Sequence, residues 1–266
     1  MSRLDRFETL TAARRIWMIS SVHGDMSRLA AIHDVIEQRF EHGDRVVYMG
    51  NLLGYGSQVI DVVDEVLAFR RHLMGRFTLF PRDIAYLRGA QEEMLEQVLQ
   101  LHFAKSPPAV LAWMLEHGLE GTLRAYGSNG REAARFARMS VSEIANYTVG
   151  LRNAIRAWPG HYSLIMAMRR AAIDDQRRFL FSHAGINPSL TLDRQTDSFW
   201  WGHPNFLRLE RPFDGFQRVF VGWHPNHIGI SEMDHATFVD AGCGFGGPLV
   251  ACCINGNGEI IEAFEA

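Results

Sequence analysis

The chain has 266 residues, 47% of them hydrophobic, and a formal net charge of -3. That is enough apolar material for a substantial core, most simply one α/β domain with an insertion, and the charge gives no reason to expect nucleic acid or an anionic membrane as a partner. Its basic side chains are almost all arginine, Lys105 being the one lysine, which reads as codon usage in a GC-rich genome and not as special arginine chemistry.

Residues 1–15 are polar and charged with no run of signal-peptide length, and no later stretch approaches a membrane span, so a cytoplasmic protein is expected. Residues 16–22 read as a buried strand ending at His23-Gly24. Leu29, Ile32, Ile36 and Phe40 then recur at helical spacing, with Asp25 as the N-cap. A second strand over 46–49 leads into a loop rich in glycine (Gly50, Gly54, Gly56). A helix capped by Ser57 and running to about residue 74 is expected next, with Val59, Val63, Val66 and Leu67 on one face. A third short strand, 83–88, precedes a helix beginning near Gln91. Residues 103–157 are mostly helical, broken at Ser106-Pro107-Pro108 and at Gly127-Ser128-Asn129-Gly130. They are expected to form a helical cap over the strand ends, shaping access to a pocket or serving as a packing layer.

Strands return over 163–173, 178–182, 218–221, 237–240, 248–254 and 259–264. Cys252 and Cys253 lie in an apolar run and read as small buried hydrophobes. With Cys243 nearby but no CxxC pair, neither a disulfide framework nor a zinc site is indicated. Alternating strand and helix patterns give an α/β layered fold, one domain over 1–266 with the insertion at 103–157.

Five glycine-anchored segments punctuate this order: Ser21-Val22-His23-Gly24-Asp25, Gly50-Asn51, Arg88-Gly89-Ala90-Gln91-Glu92, Ser182-His183-Ala184-Gly185 and Gly222-Trp223-His224. They resemble the five signature blocks of the calcineurin-like metallophosphoesterases, in particular the bacterial branch of the serine/threonine phosphoprotein phosphatases. Residues 200–206 with 212–216, and Leu123-Arg124-Ala125-Tyr126-Gly127, resemble two intervening stretches of the same group. The resemblance runs from about Trp17 to the C-terminus. It implies a β-sandwich flanked by helices, with two divalent ions at the strand ends that activate a bridging water and neutralise a phosphate.

The blocks keep their glycines and lose their chemistry. Against the family pattern, Ser21 stands for the first carboxylate ligand and Asn51 for the carboxylate that bridges both ions. Tyr55 stands for a phosphate-binding arginine. Ala90 and Gln91 replace a metal-binding asparagine and the histidine that assists the leaving group, and Trp223 replaces a histidine ligand. His23, Asp25, Arg88, Glu92 and His183 match. The former site is therefore expected around Ser21, Asp25, Asn51, Tyr55, Arg88, Ala90, Gln91 and Trp223, with no catalytic residue retained. An amide oxygen is a poorer ligand than a carboxylate and unsuited to bridging two cations, so no cofactor is expected at full occupancy. The alternative is one zinc, manganese or iron ion held by vestigial ligands His23, His183, Asn51 and His224.

Ser21 two residues before His23 invites a nucleophile–base pairing, but no orienting acid or oxyanion donor is identifiable, and a small residue filling the space of a lost ligand is preferred. Asp25 reads as a helix cap and not as a base; His227 and His235 read as loop positions. Trp200, Trp201 and Trp223 form either a recognition surface or, by default, core. Three functions compete. The first is a catalytically impaired phosphatase-like protein (a pseudophosphatase) serving as a binding or regulatory module for a protein partner or a phosphorylated ligand. The second is an atypical phosphoesterase acting on protein or nucleotide phosphates through a single metal. The third is a purely structural protein whose old site is filled by side chains.

Overall fold

The computed structural model describes residues 7–266; the first six residues of the polar N-terminal segment lie outside the described residues. The strands are β1 (Phe7–Leu10), β2 (Arg15–Ile19), β3 (Asp44–Tyr48), β4 (Ile84–Tyr86), β5 (Ala171–Asp174), β6 (Phe179–Ser182), β7 (Arg218–Val221), β8 (Gly229–Glu232), β9 (Ala236–Asp240), β10 (Val250–Ile254) and β11 (Ile260–Glu265). They form two sheets, one ordered β1-β5-β6-β7-β9-β8 and the other β11-β10-β2-β3-β4. Within them β2, β3 and β4 run parallel, as do β6, β7 and β9.

The two-residue period of the strands explains why the sheets stack. Ile16 and Met18 of β2, Val250, Cys252 and Ile254 of β10, Phe179 and Phe181 of β6 and Phe220 of β7 form one buried cluster drawn from both sheets. Their neighbours Trp17, Ile19, Ala251 and Cys253 face the other way, into a second core shared with the helices. On the far side of the six-stranded sheet, Leu180, Val219 and Val221 pack with Phe199, Phe206 and Phe216. The molecule is thus a sandwich of two sheets with helical or loop layers outside each. The cysteines are free and buried; Cys252 and Cys253 behave as strand hydrophobes, and Cys243 lies in the loop after β9.

The helices are α1 (Met26–Arg39), α2 (Val59–Phe77), α3 (Ala90–Leu99), α4 (Pro107–Glu116), α5 (Leu119–Ala125), α6 (Gly130–Phe136), α7 (Val141–Arg156), α8 (His161–Ala167) and α9 (Ser198–Trp201). Asp25 caps α1 by accepting the Arg28 amide at 3.1 Å. The breaks expected within 103–157 fall at the starts of α4 and α6. Two expectations need correction. Ser57 does not cap α2, which starts at Val59 after Gln58 with no side-chain cap. The strand expected over 163–173 is helix α8 followed by β5, because the apolar run Leu164-Ile165-Met166 fits either period and is long enough for neither to be distinctive. Two short strands at or near sheet edges, β1 and β8, carry too few apolar residues to announce themselves. No helix among the described residues is long and apolar enough to cross a membrane.

Candidate functional site

Five strands, β2, β3, β4, β6 and β7, end in the five glycine-anchored segments, and their loops converge on one cavity of about 450 Å³. The convergence is held by backbone contacts. The amides of Val22 and His23 both donate to the Asn51 carbonyl, at 3.0 and 2.7 Å, and the Gly24 amide donates to that of Leu52 at 2.9 Å. His23 and Asn51 each have a φ of 53°, a left-handed conformation costly for residues with a Cβ, so the surrounding bonds must over-determine both turns. At Gly50 φ is 97°, and an added Cβ would lie 2.8 Å from the Gly89 amide nitrogen and 3.0 Å from His183 Nδ1. Only glycine lets these loops come so close.

Glu92 is the hub of this frame. Its carboxylate is fully buried and accepts the amides of Asn51 at 2.9 Å, Leu53 at 3.0 Å and Gly89 at 2.8 Å. Burial pushes its pKa up, and these backbone donors pull it back down. One side chain on α3 thereby ties the loops after β3 and β4 together.

The cavity lining includes His23, Asn51, Tyr55, Ala90, Gln91, His183 and Trp223, all singled out from sequence as part of the former site. Others fall elsewhere. Ser21 lies beneath the cavity, fully buried, with its hydroxyl donating to the Gly222 carbonyl at 3.1 Å. Asp25 lines a neighbouring groove and pairs with Arg28 at 2.9 Å. Arg88 is ion-paired with Glu96 and, at 3.3 Å, with Glu93. His224 sets its ring edge-on to Phe238 and accepts the Asn226 amide at 3.1 Å; the histidine that reaches the lining from this loop is His227, paired with Asp240 at 2.8 Å.

The rest of the lining is Met94, Trp113, His117, Trp200, Trp201, His227 and Phe245; of these the sequence raised Trp200 and Trp201, as a recognition surface or core, and His227, as a loop position. Trp113 and His117 come from α4 and its C-terminal end, and they stack on each other at 4.2 Å between centroids. Trp113 meets Trp201 edge-on at 5.1 Å, and Tyr55 meets Phe245 in the same way at 4.7 Å. Gln91 joins wall to floor, its Nε2 donating to the His117 carbonyl at 2.8 Å. The helical segment also docks directly: Gly118 leaves room for the Tyr55 ring, and Gly121 sits against the Gly54 carbonyl. Trp113 and His117 lie in the segment expected to cover the strand ends.

Searches of known proteins agree with this geometry at the level of fold. No family model and no curated protein sequence matches the chain. Among solved structures, a putative diadenosine tetraphosphatase superposes with a TM-score of 0.55 at 15% identity, covering 98% of each chain. A Saccharomyces cerevisiae serine/threonine phosphatase gives a TM-score of 0.51 at 15% identity, covering 99% of this chain and 85% of that one. A hypothetical protein of Pyrococcus horikoshii OT3 gives 0.52 at 12% identity, over 95% and 87% respectively. The chain shares the fold of these solved structures, two of them named as phosphatases.

The resemblance of the five segments implies a pair of divalent ions at the strand ends, and the residues at those positions do not fit a shared pair. At the bridging position, Asn51 Oδ1 accepts the Gln91 amide at 3.0 Å. The bond fixes the amide orientation and turns the Nδ2 donor toward His23 Nε2, 3.4 Å away. A hydrogen-bond donor thus faces the imidazole nitrogen where a metallophosphoesterase needs a shared anionic oxygen. His183 donates from Nδ1 to the Met49 carbonyl at 3.0 Å, which leaves Nε2 as the ring nitrogen without that proton. Burial lowers the pKa of His23 to about 3 and of His183 to about 4, so both rings are neutral near pH 7. Among the described residues no three His, Cys, Asp or Glu side chains are grouped to hold a metal ion.

Proposed function

We propose that this chain is a catalytically impaired member of the phosphatase fold, a pseudophosphatase whose cavity binds and does not hydrolyse. The observation that carries the reading is the state of Asn51: its oxygen is committed to the Gln91 amide and its nitrogen points at His23. Two further features support it. The phosphate-clamp position is Tyr55, and Arg88 is neutralised by Glu93 and Glu96, so no guanidinium is free to meet a phosphate there. The purely structural alternative predicted a filled site; a cavity of about 450 Å³ favours a ligand. The role is that of a binding or regulatory module with a protein or small-molecule partner.

The test is metal content and turnover. Purified protein should carry substoichiometric manganese, iron and zinc and should not hydrolyse p-nitrophenyl phosphate when these ions are added. Stoichiometric metal together with turnover abolished by His23→Ala and His183→Ala would establish a single-metal phosphoesterase instead. The combined back-substitution Ser21→Asp, Asn51→Asp, Ala90→Asn, Gln91→His and Trp223→His should restore metal uptake if the frame alone suffices to position ligands.

A further inference from the structure

Among the described residues, the lining of this cavity holds no Asp, Glu, Lys or Arg, and rings dominate it. Four of the chain's six tryptophans contribute, with Tyr55 and Phe245. The rings stand at steep angles to one another: Trp113 meets Trp201 at 81° and Tyr55 meets Phe245 at 60°. His117 stacks on one face of Trp113, and His227 on one face of Phe245. These two rings are nevertheless 41% and 49% exposed, so ring surface stays open on both. The unpaired atoms Gln91 Oε1, Trp200 Nε1 and His23 Nδ1 have essentially no accessible surface, so a ligand in the cavity meets rings and not these atoms.

Electrostatics select among the ligands that such walls admit. Four carboxylates hold lining residues or their neighbours: Glu92 accepts the Asn51 amide, Asp240 pairs with His227, and Glu93 and Glu96 pair with Arg88. Against them stand two guanidiniums, Arg88 and Arg170, the latter over the Trp200 ring at 5.2 Å. Carboxylates thus outnumber cations around the site, and the ring faces are themselves negative through their quadrupoles.

A phosphate finds no cation on this lining, and the amides at the start of α3 are taken, that of Gly89 by Glu92 and that of Gln91 by Asn51. A primary ammonium is strongly hydrated and needs accepting oxygens in exchange for its water. A flat neutral ring can lie on one wall of a corner but not on both. A trimethylammonium group is round, cationic and free of hydrogen-bond donors, so it touches two steeply angled rings at once and leaves nothing unpaired.

We infer that this cavity binds a trimethylammonium group, against the corner of Trp113 with Trp201 and that of Tyr55 with Phe245. The inference rests on the reading of the chain as a binding module and names the ligand class of that module.

Choline is the probe, and 3,3-dimethyl-1-butanol, which has the same shape with carbon in place of the charged nitrogen, is its neutral control. Titrated calorimetrically into the whole chain at pH 7.5, choline should bind about tenfold more tightly than the control. Trp113→Leu and Tyr55→Leu should each weaken choline about fivefold and leave the control unchanged, whereas Tyr55→Phe should keep the affinity. Comparing the two probes on the unaltered protein keeps the test valid even if a variant folds poorly. Nα-acetyl-Nε-trimethyllysine amide, run beside choline, separates two sources of the group: the tighter binder identifies a methylated protein side chain or a free small molecule. Equal affinity for choline and its neutral control, tighter binding of inorganic phosphate, or no choline binding at millimolar concentration each overturns the inference. Hydrolysis of p-nitrophenyl phosphate by the same preparation would instead overturn the binding-module reading beneath it, so the two failures are distinguishable.

Discussion

The floor and the wall of the cavity are built by opposite means. The floor consists of the loops after β2, β3 and β4, where glycines, left-handed turns and the Glu92 carboxylate hold many of the backbone donors. The wall consists of Trp113, His117, Trp201 and Phe245, drawn from distant segments and held by ring packing, with Trp113 and Phe245 well exposed. Directional bonds fix the first to a single geometry, whereas ring contacts tolerate movement of the second. On the proposed reading, the floor keeps its shape while Ser21, Asn51, Ala90 and Gln91 stand where the resemblance places ligands and the leaving-group histidine. Shape and chemistry are therefore separable here, and the floor is where substitution should cost most.

Gly50→Ala strikes the floor hardest. The new methyl meets Gly89 and His183 at a φ of 97°, and a loss of more than about 4 kcal/mol is expected, leaving little folded protein in urea melts. Acid comes next. His23 and His183 have folded pKa values depressed below that of the unfolded chain, so the unfolded state binds more protons as the pH falls. Their stabilising contribution is complete above about pH 6.5 and is lost on acidification toward pH 4, by up to about 1.4 kcal/mol per pH unit for each ring. Denaturation midpoints measured with chelator present should follow that slope, and His23→Gln should flatten it. An unchanged midpoint from pH 7 to 5 would contradict the buried neutral state.

Glu92→Gln tests the hub directly. It sets an amide NH₂ against backbone N–H groups that now share a carboxylate, at a cost of roughly 2–3 kcal/mol, and amide exchange at Asn51, Leu53 and Gly89 should accelerate together. The smallest effect belongs to Asp25→Ala, which removes the α1 cap and should cost about 1 kcal/mol without changing the cavity. If Trp113→Ala in the wall proved more damaging than Glu92→Gln in the floor, the contrast between the two would collapse.

Much of the floor was legible in the sequence because its constraints are local. A glycine directly after a strand-like run marks a tight turn, and Asp25 ahead of a helical stripe marks a cap. Of the wall, only Trp201 was raised as a possible surface. Nothing near Trp113 or Phe245 distinguishes a cavity-facing ring from a packed one, and Trp200, taken by default as core, is both buried and part of the lining. His224 and His227 show the same limit: three residues apart in one loop, one ends against Phe238 and the other at the cavity, paired with Asp240. The misread segment at 163–173 failed for a different reason, since a short apolar run carries no period of its own.

By itself, the sequence determined where the chain turns and that Ser21 and Asn51 stand at positions the resemblance assigns to carboxylate ligands. Those conclusions depend on residue identity and on spacing within a few positions. The tertiary structure alone decided where each remaining side chain points: Asn51 turned by the Gln91 amide, Arg88 captured by two glutamates, and rings from both halves of the chain closing over the space where ions would sit. Side-chain direction is set by partners far away in sequence, and composition and spacing carry no record of which partners those are.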